Sequence, residues 1–291
     1  MSKLFNTAKV LHLEVTDVCQ AECPLCARET DPTFNKNTRH NLTVENIMTV
    51  LDEKFVSGLD KMFMCGNYGD PAAGANTLEI VDYFRQINPT ITLGMNTNGA
   101  LQSAAWWTAL AQRFNQPRDY VVFSIDGLAD TNHLYRKKVN WDKLMTNAAA
   151  FIKAGGSAHW DMLVYEHNEH QVDLAEQQAK AMGFAWFRAK VSKRVSNINW
   201  LRPPKEWIRP PAATGPIDCH VLKEQSVYVS AQGIVYPCCW LGHNSEFTID
   251  KFDDISRSWS SAPNPVCSAT CATSHQGTNF TNQWQRNISL C

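Results

Sequence analysis

Six short apolar, β-rich segments recur along the first two thirds of the chain, each followed by a helix-like stretch or a polar loop. They read LHLEVTD (11–17), KMFMCGN (61–67), ITLGMNTNG (91–99), YVVFSIDG (120–127), AHWDMLVYE (158–166) and AWFRAKVS (185–192). Strands that alternate with helices build a parallel sheet, and right-handed crossovers curl it. The expected architecture is therefore α/β, a partial (β/α)6 TIM-like barrel over residues 1–196. Helix punctuation fits: a start near Thr43 and a stop at Gly58, Asn76 with Glu79 as a capping box, and Asn140 to Ala154 closed by Gly155-Gly156. The strand ends read TDVC, CGNYGDP, NTNG, SIDG, YEHNEH and KVSKR. These polar, glycine-rich loops stand where such a fold places its active site.

The texture then changes. LRPPKEWIRPPAATGP (201–216) holds five of the 13 prolines and reads as a surface linker, spanning 197–218. Beyond it SVYVSAQGIVYPCCW (226–240) reads as a β-hairpin with Gly233 at the turn, inside a small cysteine-rich C-terminal domain over 219–291.

Ten cysteines cluster as three at 19–26 and five at 219–271, with Cys65 and Cys291 alone. The net charge of -1 gives no overall pull toward nucleic acid or anionic membrane. No apolar run approaches the ~20 residues that span a bilayer, and the N-terminus shows no small-residue cleavage site. The expected location is cytoplasmic, where clustered cysteines point to metal or redox chemistry rather than disulfides.

Cys19, Cys23 and Cys26 follow the first strand directly, spaced Cys-x3-Cys-x2-Cys. Ferredoxin-type clusters use four cysteines; three leave one iron open to a small molecule. This spacing resembles the signature of the radical S-adenosylmethionine (SAM) superfamily. The resemblance implies a 4Fe-4S cluster whose open iron binds SAM. It also implies reductive cleavage to a 5′-deoxyadenosyl radical, and hydrogen-atom abstraction from a substrate. The loops that follow match in order, over roughly residues 9–195. GNYGDP resembles the family's Gly-Gly-Glu-Pro element, with Asp70 as the acid and Tyr68 in place of a glycine. NTNG, with Asn98, resembles the third-strand element, and FSIDG, with Ser124 and Asp126, the fourth. By the same resemblance Arg136 pairs with the SAM carboxylate and Asn168 is a SAM contact. Arg188 and Lys190 share a strand face at period two. They serve either an anion, such as the SAM carboxylate or an acidic substrate, or a solvated open edge.

Cys219, Cys238, Cys267 and Cys271 resemble the ligand set of the family's twitch or SPASM-like extension. The resemblance implies one auxiliary 4Fe-4S cluster for electron transfer. Cys239 remains an alternative to Cys238, since adjacent residues of a strand face opposite ways. Cys65 and Tyr68 are candidate catalytic groups beside the second strand. The thiol would return a hydrogen atom to a substrate radical, or else serve only as a small buried hydrophobe. The implied partners are a reductant such as flavodoxin or ferredoxin and either a peptide substrate or a small molecule. A peptide would be epimerised, cross-linked or oxidised; a sugar or aminocyclitol would be dehydrogenated. No membrane partner and no clear nucleic-acid binding is expected. The alternative of another class is a non-catalytic zinc-binding interaction module.

Overall fold

Strands β1 (Val10–Leu13), β2 (Lys61–Met64), β3 (Thr92–Thr97), β4 (Tyr120–Ser124), β5 (Ala158–Val164) and β6 (Trp186–Val191) pair in sequence order, all parallel. The computed structural model describes residues 3–192, 200–206 and 214–273. Residues 197–199 and 207–213 of the expected 197–218 linker, and Cys291, lie outside them. Helices fill the crossovers, including Thr77–Ile87, Ala104–Arg113, Trp141–Lys153 and Val172–Met182. The result is the expected α/β partial barrel.

The two faces of the sheet differ in chemistry. Toward the helices, Phe123 packs on Trp107, Phe151 and Phe184 in the main apolar core. The opposite, concave face is polar and aromatic. His12 stacks on Phe63, Tyr120 on His159, and Lys61 Nζ lies 4.9 Å from the Tyr120 ring centroid. Alternation at period two places these two sets on opposite sides of the same strands.

Local signals explain the helix starts. Ser103 and Asn140 accept from the backbone N–H groups of Trp106 and Lys143, as N-caps do. The Asn76 capping box does not form: Asn76 Nδ2 donates instead to the Leu42 carbonyl at 2.9 Å. The segment from Thr43 to Gly58 is two helices, Val44–Val50 and Glu53–Ser57. Asp52 breaks it by capping the second, accepting from Phe55 N at 2.7 Å.

The C-terminal hairpin does not stand apart. β7 (Ser226–Val229) pairs in parallel with β1, and β8 (Val235–Tyr236) pairs antiparallel with β7. The sheet runs β6-β5-β4-β3-β2-β1-β7-β8. β1 would otherwise present an open row of backbone donors and acceptors, and the buried Val227, Tyr228 and Val229 cover it. Gly233 turns the hairpin at φ +75°. Among the described residues no helix is long and apolar enough to cross a membrane.

Candidate active site

Cys19, Cys23 and Cys26 lie in the loop after β1, tightened by a turn from Cys26 N to Cys23 O at 2.9 Å. Burial pushes the thiols of Cys19 and Cys23 up. The charges of Cys23 and Cys26 act on Cys19 in the same direction, so the three form one electrostatic group. Donors converge on their sulfurs. Ala21 N lies 3.4 Å and Asn98 Nδ2 3.7 Å from Cys19 Sγ, and Arg136 Nη1 lies 3.7 Å from Cys23 Sγ. N–H groups aimed at sulfur favour the thiolate, the form that binds iron. The donor set therefore fits an iron–sulfur cluster.

The 66–71 loop packs hard against this one. Asp70 N donates to Val18 O at 2.9 Å. A methyl group on Gly69 would come within 1.8 Å of Thr16 O, so only glycine admits the approach. The buried Asp70 carboxylate accepts from Ala72 N, Thr97 Oγ1, Asn98 N and Asn98 Nδ2 at 2.6–2.9 Å. That fills the roughly four sites of a carboxylate. Burial pushes its pKa up against these donors. Asp70 thus ties the second strand end to Asn98, and Asn98 in turn reaches Cys19 and Gln20.

Further round the barrel, the Arg136 Nε donates to Asp126 Oδ2 at 2.6 Å. Burial pushes the Asp126 carboxyl up, with Arg136 opposing. Burial also works against the Arg136 charge, but Asp126, Cys23 and Tyr135 together outweigh it and raise the guanidinium's pKa. The resemblance pairs Arg136 with the SAM carboxylate; here the guanidinium bridges Asp126 and Cys23. Asn168, expected as a SAM contact, is wholly buried. It donates to Asp126 O and Leu163 O and accepts from Tyr165 N, bracing the ends of β4 and β5. Ser124 is half-buried at the end of β4, in register with Asp161.

Neither sequence alternative for Arg188 and Lys190 describes their principal contact. Arg188 Nε and Lys190 Nζ pair with the two oxygens of Asp161, on β5, at 2.7 and 2.9 Å. Burial pushes Asp161 up, yet Lys190 and Arg188 together hold it below the usual carboxylate value.

Cys65 follows β2, and its carbonyl accepts from His12 Nε2. Its thiol charge acts on the buried Tyr120 hydroxyl. Tyr68 is stacked on Phe34 at 4.1 Å and donates its hydroxyl to Asp31.

The second group is also brought together. Cys219, Cys238, Cys267 and Cys271 line one cleft, with His220, Trp240 and Phe252 beside them. β8 ends at Tyr236, so Cys238 and Cys239 lie beyond the strand rather than on its two faces. Cys238 lines the cleft; Cys239 does not, and its carbonyl accepts from Asn67 Nδ2 at 2.7 Å. Burial pushes Cys219 up to about 11, against the backbone N–H of Leu222. His220 Nδ1 lies 3.3 Å from Cys271 Sγ. These donors again suit thiolate ligation. Among the described residues, no three His, Cys, Asp or Glu side chains stand ready to hold a single metal ion.

Sequence reasoning missed Glu14, Asn67, Asp161 and His243. Glu14 and Asp161 had a signal, since each is an acid set among apolar residues, in LHLEV and AHWDMLV, and a buried charge needs partners.

The radical SAM superfamily model matches residues 13–176. No curated protein matched the chain. Among solved structures, Streptococcus suis SuiB bound to S-adenosylmethionine shares the fold with a TM-score of 0.61 and 13% identity. That match covers 89% of this chain and 67% of SuiB. Native anSMEcpe with bound AdoMet matches with a TM-score of 0.59 and 15% identity, covering 82% of this chain and 76% of its own. SuiB bound to its precursor peptide SuiA matches at 0.60 and 14%, over 94% and 68%. With over half its length matched by the family model and three cysteines gathered at the end of β1, the chain belongs to the radical SAM superfamily, whose enzymes use a 4Fe-4S cluster and SAM.

Proposed function

We propose that this enzyme cleaves SAM reductively and abstracts a hydrogen atom from an organic substrate, with a second cluster in its C-terminal segment. The observation that carries the reading is the convergence of Ala21, Asn98 and Arg136 N–H groups on the sulfurs of Cys19 and Cys23. When bound, the three-cysteine cluster supplies the electron that breaks the SAM sulfonium and so yields the 5′-deoxyadenosyl radical. Cys19, Cys23 and Cys26 would hold it, and the N–H donors would keep their thiolates charged. Asp70 acts by fixing Asn98, and Asn168 by fixing the turn after β5. Direct contacts to SAM then fall to the backbone of the 66–71 loop, to Ser124, and to the Arg188–Lys190 edge. Arg136 and Asp126 act as a buried pair that sets the charge beside Cys23.

Cys219, Cys238, Cys267 and Cys271 would hold an auxiliary 4Fe-4S cluster. Four thiolates close such a cluster and suit it to electron transfer. Solved structures of similar fold are complexes with peptides: SuiB with SuiA, and anSMEcpe with the Cp18Cys peptide. They make a peptide the first substrate class to try, ahead of a small molecule, with flavodoxin or ferredoxin as reductant. Cys65, on the concave side near Tyr120, is the candidate hydrogen donor to a substrate radical.

Metal and sulfide analysis after anaerobic reconstitution tests the two-cluster reading. The wild type should hold about eight irons, and a Cys219→Ser/Cys267→Ser variant about four, as two 4Fe-4S clusters require. Zinc in place of the second four irons contradicts the auxiliary cluster. Deuterium transfer from labelled peptides into 5′-deoxyadenosine tests the substrate class.

A further inference from the structure

We infer that Glu14 is the positioning residue of the 66–71 loop, and that Tyr228 and His243 make its hold depend on the C-terminal segment. The inference rests on the reading of that loop as part of the SAM site. Glu14 follows β1 directly and is wholly buried. Its Oε1 accepts from Tyr68 N at 2.7 Å and Gly69 N at 3.2 Å. Its Oε2 accepts from the Tyr228 hydroxyl and lies 3.0 Å from His243 Nε2. One oxygen thus serves the loop, and the other serves residues 214 and 229 positions further along the chain.

The loop has no slack around this carboxylate. A methyl group on Gly66 would fall 2.8 Å from Glu14 Oε1 and 2.3 Å from Gly69 O. His243 reaches Glu14 from a backbone φ of +68°, which non-glycine residues hold only when their surroundings fix them. A second contact joins the same two regions, from Asn67 Nδ2 to the Cys239 carbonyl. Asn67 O also lies 3.8 Å from Cys26 Sγ. The hairpin segment therefore completes the support beneath the loop. If Tyr228 loses its hydroxyl, the buried Oε2 is left short of a donor. The carboxylate then shifts to recover one, and its two bonds to the loop loosen.

The test compares wild type, Tyr228→Phe and Glu14→Gln after anaerobic reconstitution. It reads iron content, the Kd for SAM by equilibrium dialysis, and the change SAM makes in the electron paramagnetic resonance of the reduced cluster. The expected result for Tyr228→Phe is wild-type iron, SAM binding weakened roughly tenfold, and an altered SAM-dependent signal. Glu14→Gln should bind SAM more weakly still. If Tyr228→Phe does not fold, His243→Asn probes the same oxygen by the same measurements, because Asn tolerates the left-handed backbone. Wild-type affinity in a fully loaded Tyr228→Phe or His243→Asn protein overturns the inference. So does iron lost in proportion to SAM binding, since the fault then lies in the cluster site. A wild type that holds iron yet binds no SAM fails the reading of the loop itself.

Discussion

Arg136 donates from Nε to Asp126 and reaches Cys23 through Nη1. Replacing it with Met leaves the Asp126 carboxylate buried without its counter-charge, and the expected cost is about 3–5 kcal/mol in urea denaturation. Arg136→Lys should recover only part of this, because an ammonium lacks the planar fork that serves two partners. Buried histidines give the pH response. Burial is the main cause lowering His159 to about 3 and His12 to about 4. Unfolded, each titrates near the usual ~6.5. Below that pH the unfolded chain binds protons that the folded chain refuses. Stability is therefore fully present above about pH 6.5 and falls as the pH drops toward 4, by about 1.4 kcal/mol per unit for each histidine. His159→Phe preserves an aromatic ring against Tyr120 and should flatten the slope by about one proton between pH 6 and 4.5. Urea titrations at a series of pH values check this, and an unchanged slope contradicts it. The cysteines proposed as ligands were legible at this scale because their spacing and clustering mark them. The partners of Glu14 and Asp161 were not, because they come from loops and strands distant in sequence.

At the scale of elements, the expected strands overrun the observed ones at their C-terminal ends. Residues 61–67 were expected for β2, which ends at Met64, and 120–127 for β4, which ends at Ser124. The overrun residues, Cys65-Gly66-Asn67 and Ile125-Asp126-Gly127, carry glycine and a turn-forming Asn or Asp, which mark where pairing stops. The strand ends are where the site loops leave. Asn168 shows what holds such an end. It satisfies two carbonyls and one N–H at this turn. Asn168→Ala should cost about 2–4 kcal/mol in stability, with the turn after β5 losing hydrogen-exchange protection first. Wild-type protection there would show that the side chain is not a brace. The Asn76 capping box failed for a related reason. The motif is local, while the Leu42 carbonyl that captured the Asn76 amide lies on another segment.

For the whole molecule, the six-strand barrel was legible from its repeating pattern, whereas the place of the hairpin was not. Nothing in SVYVSAQGIVY says that its first strand will lie beside β1, because a pairing over such a distance leaves no local trace. The pairing has consequences. A chain ending at residue 206 exposes the β1 edge and strips Glu14 of Tyr228 and His243. It should associate on size-exclusion chromatography and lose the wild-type circular dichroism spectrum. A well-behaved monomer that binds SAM as the full chain does would show the hairpin to be a separate appendage. The central claim is that Cys19, Cys23 and Cys26 hold the centre that cleaves SAM. It is tested most directly by quantifying 5′-deoxyadenosine after anaerobic reconstitution and chemical reduction with SAM. The wild type should produce it, and the Cys19/Cys23/Cys26 triple Ala variant should not. No product from an iron-loaded wild type, or undiminished product from the triple variant, would contradict the claim.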